Sequence, residues 1–213
     1  MLDKMQDINR KISLMYNERF DKFGPTPEAS LWFSEIRQVQ RFQEIIRHIL
    51  KVNQEEPISI ADIGCGYGTF YKVLLLENSP KFSKYYGYDI SSNAIKFCQK
   101  NFISNKVSFF ISHKPNTFAD FSVMSGTFNF SPDKNFSTWL EYFFECLKLI
   151  WEKTRIAMVF NLQISDREKI TEQGIVYFNA NEIISSCKGI FGETSVSYNK
   201  CIPNDATFTV LKS

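Results

Sequence analysis

The decapeptide ADIGCGYGTF at 61–70 constrains this chain more than any other stretch. It gathers three of only 9 glycines at alternate positions, directly behind the apolar run ISI at 58–60. A β-branched run that ends in such a cluster predicts a strand entering a tight loop and then a helix. A loop stripped of side chains lets backbone approach a ligand closely.

The rest of the chain supplies the setting for that loop. A helix is expected at about 68–78, a strand YYGYDI at 85–90, a helix SSNAIKFCQKN at 91–101 and a strand KVSFFIS at 106–112. A strand FADFSVMSG at 118–126, a helix from Ser137 to Lys153 and a strand RIAMVFNL at 155–162 follow. Strands separated by helical segments imply βαβ units and a parallel sheet. At the end VSYNKC (196–201) and ATFTVLK (206–212) are separated only by IPND, which predicts an antiparallel hairpin. Upstream, Leu2, Met5, Ile8, Ile12, Met15 and Phe20 suit one amphipathic helix or two short ones. GPTPEAS at 24–30 breaks that pattern, and from Pro27 onward Leu31, Ile36, Val39, Phe42, Ile45, Ile46 and Ile49 predict one long helix. The chain is thus expected to be a single α/β unit, with an N-terminal helical cap at 1–55 and the sheet domain at 56–213.

Composition narrows the partners. With 44% hydrophobic and 23% charged residues in 213, the chain can bury a full core. A net charge of +2, from 25 Lys and Arg against 23 Asp and Glu, supplies no field that argues for nucleic acid or membrane. Five cysteines without a CxxC pair, and only 2 histidines, read as free buried thiols and leave no metal set. No apolar leader and no run of 18 apolar residues are visible, so a cytoplasmic protein is expected.

Two nucleotide families compete for the glycine loop. A dinucleotide fold wants G-x-G-x-x-G, and here Thr69 stands at the third glycine position; a Walker loop fails because no G-K-S/T follows. Asp62 lies two residues before the first glycine, and Asp89 ends the next strand. A carboxylate there can accept both hydroxyls of a ribose. Through ADIGCGYGTF, YGYDIS and the late hairpin, residues 56–213 resemble the class I S-adenosylmethionine-dependent methyltransferases. The resemblance implies a Rossmann-like, seven-stranded, mostly parallel sheet whose last strand is antiparallel, and S-adenosyl-L-methionine as cofactor. It places Gly64, Gly66 and Gly68 along the methionine and adenosine part, Asp62 at the amino acid end and Asp89 on the ribose. SGTFNF at 125–130, VFNLQ at 159–163 and the leader GPTPEASLWFSEIRQVQRF, with Gly24, Trp32, Gln38, Arg41 and Phe42, resemble a subset of small methyltransferases marked by S-G-x-F-N. One departure follows the third strand. It ends ISHKP where many members carry an acid for adenine, leaving that base to the Ser112 hydroxyl, backbone groups or packing on Ile90.

Methyl transfer needs a nucleophile held in line with the methyl group, with a general base where the acceptor is protonated. In the class I fold, the fourth strand's end presents the acceptor site. Ser125 is assigned there to the cofactor. Asn129 orients the acceptor or caps the turn of NFSPD. Asn161 shares the site or bonds a loop carbonyl, and Tyr177 covers the cofactor, acts near the acceptor or packs beside Val176 and Phe178. His113 is the imidazole near the sheet's carboxyl edge, a base or a bystander, and His48 reads as structural. On the cap, Trp32 and Arg41 touch substrate, with Arg41 meeting an anion or the cofactor carboxylate, or else they belong to the core and a solvated face. The expectation is methyl transfer to a small molecule, with O-methylation of a sugar or secondary metabolite put first. An NAD-binding oxidoreductase and a non-catalytic S-adenosylmethionine-binding module are the alternatives. Near-neutral charge and the lack of an N-P-P-Y motif speak against a nucleic-acid or glutamine methylase.

Overall fold

Strand β1 (Ile58–Ile63) is buried along its whole length, as a central parallel strand covered on both faces must be. The computed structural model describes residues 2–31, 34–53, 57–76 and 79–212. Around β1 run β2 (Phe82–Asp89), β3 (Val107–Ile111), β4 (Ala119–Ser125), β5 (Thr154–Gln163) and, past a two-stranded flap of β6 (Lys169–Ile170) and β7 (Val176–Tyr177), β8 (Thr194–Tyr198) and β9 (Asp205–Leu211). The seven-stranded sheet has the order β3-β2-β1-β4-β5-β9-β8. Pairs among the first five strands are parallel, and β9 is antiparallel to both neighbours. The expected C-terminal hairpin is present, but its last strand inserts beside β5 and leaves β8 at the edge. Strand order reverses between β1 and β4, which puts a crevice at their carboxyl ends.

Alternation along the strands divides the core. Ile58 and Ile60 of β1, with Ala157 and Val159 of β5, face helices α2 (Glu35–Val52), α3 (Thr69–Leu74) and α4 (Ser92–Asn101). Ala61, Ile63, Met158, Phe160 and Leu162 face α1 (Leu2–Phe23), α5 (Phe136–Trp151) and α6 (Ala180–Ile190). The cap is part of this packing, because Ile8 and Ile12 of α1 are buried in the second cluster.

The single helix expected from Pro27 is broken. Pro27–Ser30 forms a short 3₁₀ turn, Leu31 takes a left-handed φ of 59°, and α2 starts afresh behind Ser34, whose hydroxyl accepts from the Arg37 amide. A serine that caps competes with continuation of the helix. Helix α3 ends at Leu74, short of the expected 78. Cys65, Cys98, Cys146 and Cys187 are buried free thiols, whereas Cys201 is exposed. His48 bridges α2 to the hairpin through the hydroxyls of Thr209 and Ser197, each at 2.6 Å.

Candidate active site

The glycine loop is fastened from below. The amides of Gly64 and Cys65 donate to the Tyr88 carbonyl at 2.7 and 3.0 Å. Asp89 then ties two segments together: one carboxylate oxygen accepts from the Gly66 amide at 2.8 Å, the other from the Ser91 amide at 2.7 Å. Each oxygen keeps a lone pair for another donor. Gly64, at φ +77°, lies so close to the β4 loop that a Cβ there would stand 2.7 Å from the Thr127 hydroxyl oxygen. Asp62, at the end of β1, is 2% exposed and accepts a 2.5 Å hydrogen bond from the Tyr85 hydroxyl. Burial pushes its pKa up to about 7, against that hydrogen bond. Burial also raises Asp89, opposed by its backbone amide donors.

Above the loop lies a cavity of about 1080 Å³. Its floor includes Asp62, Gly64, Gly66 and Asp89, and Ile90, Ser112, His113 and Ser125 stand on its walls. Helix α1 closes it with Ile12, Tyr16 and Phe20. That helix is held by polar contacts: the Ser13 hydroxyl donates to the Ile90 carbonyl at 2.9 Å, and Asn17 accepts from the Ser91 hydroxyl at 2.9 Å and the Asn93 amide at 3.2 Å. Two buried polar atoms on the wall, Gln38 Oε1 and Thr69 Oγ1, have no hydrogen-bond partner among the described residues.

A second cavity of about 960 Å³ adjoins the first, and Tyr16, Ser30 and Gly126 line both. Asn129 sits in its wall, 6% exposed. Its Oδ1 accepts from the Gln163 amide at 3.1 Å, while its Nδ2 donor has no partner among the described residues. The side chain therefore does not cap the turn after it: its oxygen is taken by Gln163 and its nitrogen stays available. Tyr177, half-buried under the Lys169 ammonium at 5.1 Å, and Arg41 line the same cavity.

Several expected positions differ. Gly68 is the N-cap of α3 and faces away from the first cavity, where a Cβ would stand 2.6 Å from the Phe102 ring. Asn161 is on neither cavity wall; its side chain accepts from the Gly126 amide at 2.9 Å and donates to Ser125 Oγ at 3.4 Å, fixing the β4 loop. Arg41 is neither on a solvated face nor free for a cofactor carboxylate: it is 4% exposed and ion-paired with Asp205 of β9. His113 follows β3, three strand spacings or roughly 14 Å from β4, and is absent from the second cavity wall. Burial lowers its pKa, so it is neutral at pH 7. Trp32 lies outside the described residues. Residues to which the sequence assigned no site role include Tyr16, Gln38, Thr69, Thr127 and Gln163. Tyr16 falls one turn after Ile12 on the apolar stripe of α1, and periodicity alone reads it as packing.

Among the described residues no group of three metal-ligating side chains forms and no helix is long and apolar enough to cross a membrane. A methyltransferase small domain family profile matches residues 43–130. A Mycobacterium tuberculosis protein provisionally named as a methyltransferase, Rv1506c, is 26% identical over 140 residues, covering 64% of this chain and 82% of its own. The plantazolicin methyltransferase BpumL, solved with a desmethylplantazolicin analogue and S-adenosylhomocysteine, superposes with a TM-score of 0.65 at 12% identity over 100% of both chains. DhpI, solved with S-adenosylhomocysteine, superposes with a TM-score of 0.63 at 12% identity over 95% of both chains. Magnesium protoporphyrin IX methyltransferase of Synechocystis gives 0.60 at 11% identity over 100% of this chain and 99% of that one. The family profile over residues 43–130 and the fold shared over the whole length make this chain similar to the class I S-adenosylmethionine-dependent methyltransferases.

Proposed function

We propose that the first cavity holds S-adenosyl-L-methionine, that the second holds the acceptor, and that the protein O-methylates a small secondary metabolite. The observation that carries this reading is the seam of Tyr16, Ser30 and Gly126, where the two cavities meet at the carboxyl ends of β1 and β4. When bound, the cofactor supplies an electrophilic methyl group on a sulfonium. The residues present suit it. Asp62 and the orphan Gln38 Oε1 can take its ammonium, the orphan Thr69 hydroxyl its carboxylate, and the spare lone pairs of Asp89 its ribose hydroxyls. Gly64 and Gly66 keep the loop close to it, and Ile90, Ser112, Ser125 and His113 complete the wall. The Nδ2 donor of Asn129 holds the acceptor and limits the geometries in which it can react. Tyr16, Phe130, Ile175 and Tyr177 make the acceptor cavity more apolar and aromatic than a sugar requires, which favours a non-sugar metabolite. Four buried free thiols suit a reducing cytoplasm.

Calorimetric titration with S-adenosylmethionine and, separately, with NAD tests the assignment. Binding of S-adenosylmethionine alone is expected, weakened about a hundredfold in Asp89→Ala, since two hydrogen bonds to a charged acceptor contribute about 3 kcal/mol. A preference for NAD, or no binding of S-adenosylmethionine, overturns it. Formation of S-adenosylhomocysteine on adding an acceptor separates an enzyme from a binding module.

A further inference from the structure

The chemistry of the second cavity points to the kind of acceptor. Its described wall carries no aspartate, glutamate, histidine, lysine or cysteine. The titratable groups there are Tyr16, Tyr177, Arg37 and Arg41. Burial and the nearby Asp89 push the Tyr16 phenol well up, so it keeps its proton at neutral pH. Guanidinium groups remain charged there. Nothing on this wall is suited to remove a proton from a neutral alcohol or an ammonium, and His113 stands on the far side of the first cavity.

What the wall does offer is hydrogen-bond donors and positive charge. Arg37 and Arg41 are one helical turn apart on α2, and the Asp205 carboxylate is ion-paired with Arg41. The next carboxylate, Glu44, is taken by Arg47 at 2.7 Å and by Asn199. Arg37 is exposed and gives one donor to the Pro203 carbonyl at 3.2 Å, which leaves most of its fork open. Two guanidinium groups therefore share the Asp205 carboxylate on this side of the cavity, beside the Nδ2 donor of Asn129, which has no partner among the described residues.

We infer that the acceptor is an oxyacid, a carboxylate or a phosphorus oxyanion, held by Arg37 and Asn129 and methylated on an oxygen that already carries negative charge. The inference rests on the reading of the two cavities given above and adds the acceptor's chemical class. A lone pair on the acid oxygen forms the new O–C bond while the bond from that carbon to sulfur breaks and its electron pair stays on sulfur. Acceptor anion and sulfonium cation become a neutral ester linkage and a thioether, and no proton is transferred. A site without a base is then complete.

The test uses the full-length chain saturated with S-adenosylhomocysteine, whose binding is measured on the same samples by calorimetry. 4-Fluorobenzoate and 4-fluorophenylphosphonate are each titrated against 4-fluorobenzyl alcohol and followed by ¹⁹F NMR. At least one anion is expected to bind tenfold or more tightly than the alcohol, and Arg37→Gln, a change at an exposed position, is expected to shrink that preference at least fivefold. The stronger anion names the oxyacid. Alcohol binding as tight as the anions, no anion binding to the S-adenosylhomocysteine complex, or a preference unmoved by Arg37→Gln overturns the inference and leaves the cofactor reading standing. Failure of S-adenosylhomocysteine itself to bind removes both.

Discussion

Asp62 lies beneath the glycine loop with one oxygen bonded to Tyr85 and its pKa raised to about 7 by burial. Between about pH 4 and 7 the folded chain therefore holds a proton that the unfolded chain has lost, so this residue makes stability fall as pH rises through that window. A cationic ligand end facing Asp62 draws the ionised form. Affinity for S-adenosylmethionine is accordingly expected to weaken about tenfold from pH 8 to pH 6, the change for one group near 7 that must lose its proton. Calorimetry across that range checks it, with Asp62→Asn as the control that removes the slope; equal slopes in the two proteins would detach Asp62 from the ligand. At this scale Asp62 and Asp89 were legible because acids at strand ends beside glycines have few other uses. Asn129 was legible by type but not by geometry, since nothing in NFSPD says that its oxygen is bonded to the Gln163 amide while its nitrogen has no partner among the described residues. Gly68 shared the motif yet serves helix packing, because alternate residues of a tight loop face different ways.

The loop between β1 and α3 works as an element through close approach rather than flexibility. Gly64→Ala would combine a left-handed φ with contact against Thr127, whose hydroxyl donates to the Ile63 carbonyl at 2.7 Å. Gly24 has a similar φ of +65° but open space around it. Gly24→Ala is expected to cost about 1 kcal/mol, or about 2–4 °C in Tm, and Gly64→Ala at least twice that. Thermal unfolding of the two variants measures the difference, and equal losses would show that Thr127 yields freely. The strands flanking this loop were readable from alternation and β-branching to within a few residues. Helix α6 is announced only by its cap: Asn179 and Glu182 stand three apart, and the Asn179 oxygen accepts from the Asn181 and Glu182 amides at 3.0 and 3.3 Å. The flap of β6 and β7 is two residues per strand, too short for any period to register. Arg41 shows the opposite failure: its partner Asp205 lies 164 residues away, and only the insertion of β9 beside β5 brings them together.

On the scale of the whole molecule, the chain reads as a sheet whose carboxyl edge is roofed by its own N-terminus. Helix α1 reaches the cavity with an apolar stripe but is anchored by Ser13, Asn17 and their partners around α4, contacts that water can replace. Asn17→Ala deletes two of them and is expected to speed S-adenosylhomocysteine release about fivefold or more, at about 1 kcal/mol for the hydrogen bonds lost. Stopped-flow displacement reads this rate, and an unchanged value would mean that α1 does not gate the cavity. The overall topology was visible in advance because the order of strands and helices admits few sheets. The roof was not, since an amphipathic helix announces that it packs and never against what. The seam between the cavities has a kinetic meaning as well. One opens beneath α1, the other beside the exposed Arg37, Pro203 and Asn204. Neither ligand has to leave through the space of the other, so either can load first, and initial-rate plots should show intersecting lines of a random sequential mechanism rather than a compulsory queue.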